Sequence, residues 1–181
     1  AEYIALPAAQ AVTLPDSVSF EEGAVLGIPG LTAVHAVLGG GPVRDRTVLV
    51  SGGTGGQGAA HLRAFAAEGA NVVIGDVRDD AGKALAAEIG DQALYVHLDV
   101  TNERDWAAAI AATEERFGSL AVLVNNAGIP SPAVLIEDGE LATWQRILDV
   151  NLTGAYLGIR AAVPSLRRNG GGAIVNIASM A

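Results

Sequence analysis

The chain has no cysteine, which excludes disulfides, thiolate catalysis and the usual cysteine cages for zinc. Aromatic residues make up only 4% of it, so its core must be built from Ala, Val, Leu and Ile. Positive charge is scarce as well. Eleven Lys and Arg stand against 20 Asp and Glu, for a formal net charge of −9. Nucleic-acid binders neutralise phosphates with Lys and Arg, and this balance argues against that role. No apolar run reaches the length of a membrane-spanning helix. The opening residues, Ala1-Glu-Tyr-Ile-Ala-Leu6, carry no basic leader region. A soluble cytoplasmic protein is expected, with no membrane or nucleic-acid partner.

What is present suits one sizeable domain. The chain has 181 residues, half of them hydrophobic, with a mean hydropathy of +0.36. Its organising stretch is Val48-Leu-Val-Ser51-Gly52-Gly53-Thr54-Gly55-Gly56-Gln57-Gly58. An apolar run ends in glycines, and the glycines open onto a helical stretch. Glycine lets the backbone take positive φ and lets a ligand approach without a Cβ in the way. A helix start adds free N–H groups and partial positive charge, which suit a phosphate. Gly53–Gly58 fits G-x-G-x-x-G, a dinucleotide-binding pattern when a strand precedes it and an acid follows about 20 residues on. Asp76 closes the next apolar run and supplies that acid. The alternative is a plain glycine-rich hairpin loop.

Residues 1–46 differ from the rest, with four of the seven prolines. Ser19 and Glu22 form a capping box for a short helix to about Gly27. A second helix is expected from Leu31 to Leu38. It carries His35, which is read as packing rather than as a ligand. From Thr47 onward, strands are expected at 47–51, 71–75, 93–98, 121–125 and 173–177. Helices are expected at 57–69, 79–89, 103–117, 140–148 and 152–168. Asp79 and Thr101 serve as caps and Gly90, Gly118 and Gly170 as stops, and Pro164 should kink or end the last helix. The strands are continuous apolar runs, as in a parallel sheet buried on both faces. The expected fold is α/β, a doubly wound parallel sheet of Rossmann type with strand order 3-2-1-4-5. Ligands in such folds lie at the carboxyl ends of the strands. Strand 1 ends at Ser51–Gly58, strand 2 at Asp76-Val77, strand 3 at Asp99-Val100, and strand 4 at Asn125-Asn126-Ala127-Gly128. Strand 5 ends at Asn176-Ile-Ala-Ser179, and Asn151 opens the long last helix. Asp76 is placed for adenosine ribose hydroxyls and repels a 2′-phosphate, so NAD is favoured over NADP. Arg78 nearby weakens that preference. Asp99 suits an adenine amino group.

Ser51-Gly-x-x-x-Gly56-x-Gly58, Asp76, Asp99-Val100, Asn125-Asn-Ala-Gly128, Asn151 and Ser179 resemble the classical short-chain dehydrogenase/reductase family, in order and spacing, over 47–181. The stretch from Gly82 to Val100 is especially similar to bacterial 3-alpha/20-beta-hydroxysteroid dehydrogenases. The resemblance implies NAD-linked oxidation of secondary alcohols, with hydroxysteroids among the substrates. It implies cofactor contacts from Ser51, Gly52, Gly55, Gly56, Gln57, Gly58, Asp76, Val77, Asp99, Val100, Asn126, Ala127 and Gly128. Ser179 and Asn151 match two members of the family's catalytic tetrad. The serine orients the substrate oxygen, and the asparagine helps hold a water in a proton relay. No metal is implied.

The chain departs from the family in two ways. The tetrad's Tyr and Lys, which follow the serine, have no counterpart, because the chain stops at Ala181. Tyr3, Tyr95 and Tyr156 lack a lysine four residues on, and the single lysine is Lys83. Gln57 also stands where an apolar residue is usual. Residues 1–46, with Leu14–Gly23 and Leu26–Val34, resemble medium-chain quinone oxidoreductases instead. The expectation is a medium-chain-like head, 1–46, joined to an incomplete short-chain body, 47–181, inactive alone and prone to form homo-oligomers. A dinucleotide-binding module without turnover, or a chimeric fragment that only packs or assembles, stays open as an alternative.

Overall fold

The computed structural model describes residues 42–178. The helices expected between Ser19 and Leu38, His35, and Ser179 lie outside the described residues.

Five strands and five helices alternate. They are β1 (Thr47–Ser51), α1 (Gly56–Ala67), β2 (Asn71–Asp76), α2 (Asp79–Ile89), β3 (Ala93–His97), α3 (Glu103–Phe117), β4 (Val122–Asn125), α4 (Leu141–Leu148), α5 (Gly154–Arg168) and β5 (Ala173–Asn176). A short 3-10 turn, Ile136–Asp138, precedes α4, and a π-helical turn, Asp149–Thr153, joins α4 to α5. The sheet is parallel, in the order β3-β2-β1-β4-β5.

The side-chain alternation of a strand explains why the runs are apolar throughout. Val48, Val50, Val72, Ile74, Val122 and Val124 face one way, onto Leu62 and Phe65 of α1 and Leu85 of α2. Leu49, Val73 and Leu123 face the other way, onto Trp106 and Ile110 of α3 and Leu157 and Leu166 of α5. Each fully buried large side chain contributes about 1.5–3 kcal/mol relative to exposure. Both layers therefore hold the central strands, and β1 lies in the middle of the sheet.

Among the described residues, glycine ends four of the helices. After α1, Gly69 takes φ +87°, its N–H reaches the Ala66 carbonyl, and the Ala70 N–H reaches Phe65. That is a Schellman closure, and Gly170 and Gly171 repeat it after α5. Gly90 closes α2 and Gly118 closes α3, both with positive φ.

Two local expectations are corrected and a third is narrowed. The cap of α3 is Asn102, whose side chain accepts from the Arg104 N–H, whereas Thr101 turns its N–H and hydroxyl onto Asp99. Asp79 sits in the first turn of α2, with Arg78 at the cap position. Of the two outcomes expected at Pro164, a kink or an end, the end is excluded, since α5 continues to Arg168. The last turn is tied down on both sides. Ser165 Oγ accepts the Leu120 N–H at 2.9 Å and donates to Glu114, and Arg168 pairs with the same carboxylate.

Candidate functional site

The glycine turn after β1 is shaped by its neighbours. Gly52 has φ +64°, and a Cβ there would stand 2.8 Å from the Ala127 Cα. A Cβ on Gly58 would collide with the Gly52 carbonyl oxygen. Gly56 is different, since among the described residues no atom lies within 4 Å of the place where its Cβ would be. Two glycines therefore permit close packing of the turn, and the third leaves space open on the ligand side. The first turn of α1 has no side-chain cap and no acidic residue, so its N–H groups face that space uncompensated.

The turn is clasped to the end of β4. The Ser51 hydroxyl accepts N–H groups from Asn126 at 3.1 Å and Ala127 at 3.2 Å. The Asn126 side chain returns the link, donating to the carbonyls of Ser51 and Gly52. Ser51 is thus buried and turned into the protein, where a cofactor-lining side chain was expected. Its role is to join the two loops.

Asp76 is held on three sides. Its Oδ2 accepts the Thr54 N–H at 2.9 Å, and its Oδ1 accepts the Arg78 N–H at 3.1 Å. The Arg78 guanidinium stands 3.5 Å from the same oxygen. Burial alone would raise the pKa of this carboxyl. The hydrogen bonds from Thr54 and Arg78, with the Arg78 charge, outweigh burial and hold it below the usual carboxylate range.

These pieces surround one cavity of about 1080 Å³. Gly52, Gly55, Gly56, Gln57, Gly58, Asp76, Val77, Asp99, Val100, Asn126, Ala127 and Gly128 all line it. The volume slightly exceeds the usual span for small-molecule sites. The open backbone at Gly56, the unfilled helix start and the ionised Asp76 suit the pyrophosphate and ribose of a dinucleotide.

Sequence reasoning missed one wall. Ala142, Gln145, Arg146 and Asp149 also line the cavity, from α4 and the π turn. Their spacing, i, i+3, i+4 and i+7, marks a single helix face and was the available signal.

Asn151 stands apart from that lining, on the π turn. Its side-chain amide is engaged at both ends, accepting the Ile129 N–H at 2.8 Å and donating to the Ile129 carbonyl at 2.9 Å. On the π turn, the asparagine expected to help hold a water thus has its side chain occupied by Ile129. Such one-turn expansions recur at functional sites. Among the described residues, no tyrosine or lysine lines the cavity. Tyr95 bonds to Asp79 and to the Asp76 carbonyl, Tyr156 is exposed on α5, and Lys83 is exposed on α2. No group of three or more potential metal ligands occurs among the described residues, and none of their helices is long and apolar enough to cross a membrane.

Known proteins match this chain over the same region. The sequence model of the family described as short chain dehydrogenase matches residues 46–181. A 3-alpha-(or 20-beta)-hydroxysteroid dehydrogenase of Mycobacterium tuberculosis is 55% identical over 140 residues, covering 77% of this chain and 54% of that protein. A trans-4-hydroxycyclohexanecarboxylate dehydrogenase of Sinomonas cyclohexanicum is 47% identical over 148 residues, covering 77% of this chain and 56% of that protein. A 3-beta-hydroxysteroid dehydrogenase of Comamonas testosteroni is 37% identical over 138 residues, covering 76% and 54%. The chain spans about half the length of the curated relatives it matches.

Proposed function

We propose, because the chain belongs to the short-chain dehydrogenase family, that it binds a nicotinamide dinucleotide at the carboxyl edge of its sheet and serves the oxidation of cyclic secondary alcohols. The observation that carries the reading is one cavity bounded by the open Gly56 turn and by Asp76. The uncompensated N–H groups at the start of α1 face the pyrophosphate, and Asp76 accepts from the ribose hydroxyls. A carboxylate kept ionised at that position repels a 2′-phosphate, which favours NAD over NADP. Arg78 offsets part of that repulsion. Asp99 and Val100 border the adenine, and Asn126 to Gly128 border the nicotinamide side. The bound cofactor supplies the hydride acceptor. Ser179 orients the alcohol oxygen, as the family resemblance implies. The relatives are named for hydroxysteroids and a hydroxycyclohexane carboxylate, which supports an alicyclic alcohol as the substrate class.

A second reading, a dinucleotide-binding module without turnover, is favoured by one observation. No tyrosine or lysine among the described residues reaches the cavity to act as general base. Loss of such a base costs about 10²–10⁴-fold.

Calorimetry with NAD and NADP tests the shared part. The protein is expected to bind NAD more tightly than NADP. Gly56→Val should abolish binding without unfolding the protein, since no atom of the described residues crowds that site. Asp76→Ala should narrow the NAD/NADP ratio. Undiminished binding by the Gly56 variant would remove the cavity from consideration. Absorbance of NADH with a panel of cyclic secondary alcohols then separates the two readings. Turnover above about 0.1 per second, low for an enzyme, that disappears in Ser179→Ala selects the dehydrogenase. Binding without turnover selects the module.

A further inference from the structure

His97 ends β3 at the rim of the cavity, yet it is not part of the lining. Its imidazole lies between two helix starts. Nδ1 is 2.6 Å from Asp79 Oδ1 in the first turn of α2, and Nε2 is 4.0 Å from Asp105 Oδ2 in the first turn of α3. Each of these carboxylates has a second contact that leads to the cavity. Asp79 accepts the Tyr95 hydroxyl at 2.6 Å, and that hydroxyl also lies 2.9 Å from the main-chain carbonyl of Asp76. Asp105 accepts the N–H of Asp99 at 3.0 Å. Asp76 and Asp99 are the two acids that line the adenosine end.

We propose that His97 is a positioning residue for the adenosine end of the cavity, its cationic ring joining the starts of α2 and α3 and so fixing Asp76 and Asp99 for a dinucleotide. The inference rests on the dinucleotide reading of the cavity given above.

Three carboxylates converge on the ring: Asp79 from α2, Asp105 from α3, and Asp99 from the segment after β3. Lys83 of α2 is the other cation near Asp79, and Tyr95 is the remaining titratable neighbour on β3. The hydrogen bond to Asp79 raises the pKa of His97. Burial opposes it, and the smaller effects of the Asp79, Asp105 and Asp99 charges add to the rise. The cation is therefore retained to higher pH than for a free histidine. A neutral imidazole has one N–H and no charge. It keeps the bond to Asp79 but no longer draws in Asp105, and the three carboxylates repel one another. As pH rises through the raised pKa of His97, the two helix starts separate and affinity for the dinucleotide falls. The groups are exposed, so the effect is modest.

The test is the Kd for NAD by calorimetry between about pH 6 and pH 9, at fixed ionic strength. The Kd of the parent chain should rise about two- to fivefold across that range. His97→Gln, which keeps a donor but no charge, should bind weakly at every pH with a flat profile. His97→Lys, cationic to about pH 10, should bind tightly throughout. A flat profile in the parent overturns the inference, as does a pH dependence that survives in His97→Gln. Failure of the parent to bind NAD at any pH overturns the dinucleotide reading itself, an outcome distinct from pH-independent binding.

Discussion

His61 is completely buried in α1, and neither ring nitrogen has a partner among the described residues. Burial lowers its pKa, so the ring is neutral in the folded protein. A neutral imidazole still carries one donor, and an unmet buried donor costs about 1–3 kcal/mol. His61→Leu removes that polar group and should raise the unfolding free energy at neutral pH by about 1–2 kcal/mol, read by urea denaturation. The folded-state pKa lies below the unfolded value, so the stability linked to this group is present above about pH 6.5. It is lost as pH falls through that value, because the unfolded chain takes up a proton that the folded chain refuses. Between about pH 7 and 5 the parent should lose stability more steeply than His61→Leu. Equal slopes in the two proteins would count against this account. The position of His61 in the first Rossmann helix was legible in the sequence. Its isolation was not, because spacing marks the buried face of a helix and says nothing about hydrogen-bond partners. Ser51 is a parallel case, since its partners Asn126 and Ala127 arrive from a loop remote in the chain.

Among the elements, the βα alternation and the strand order were readable because the apolar runs are bounded by polar or glycine residues and parallel crossovers are as a rule right-handed. Element ends fell close to expectation where a glycine stops a helix. At α3 the bounds match expectation and only the cap differs, Asn102 standing where Thr101 was expected. The π turn left no signal in the sequence, and the contact made within it, Asn151 onto both backbone groups of Ile129, is tertiary. Past Pro164, the last turn of α5 carries a tertiary contact. Ser165 joins α5 to the Leu120 N–H ahead of β4 and to Glu114 of α3. Ser165→Ala leaves the buried Leu120 N–H without its acceptor and should destabilise the protein by about 1–3 kcal/mol. The shift in urea midpoint at unchanged slope is the measurement. A variant as stable as the parent would show that the contact does not hold the end of α5.

At the scale of the whole molecule, large apolar side chains are exposed together among the described residues. Leu135, Ile136, Leu141, Trp144 and Tyr156 are exposed before and along α4 and α5. β5 pairs with β4 alone among the described residues, leaving its outer edge open. Exposed apolar patches and open edges both favour association. Light scattering is expected to report a dimer or larger species, and Ile136→Lys with Trp144→Glu should shift it toward monomer. A clean monomer at high concentration in the parent would refute this. The clasp between Ser51 and Asn126 has a consequence for biosynthesis. A ribosome adds about 5–20 residues per second, so several seconds separate the glycine turn from the asparagine that secures it. During that interval β1 has left the ribosome without β4 beside it, and the glycine turn has nothing to close against. The glycine turn therefore closes only after β4 has emerged, and a ligand that needs the closed turn cannot template the earlier steps of folding.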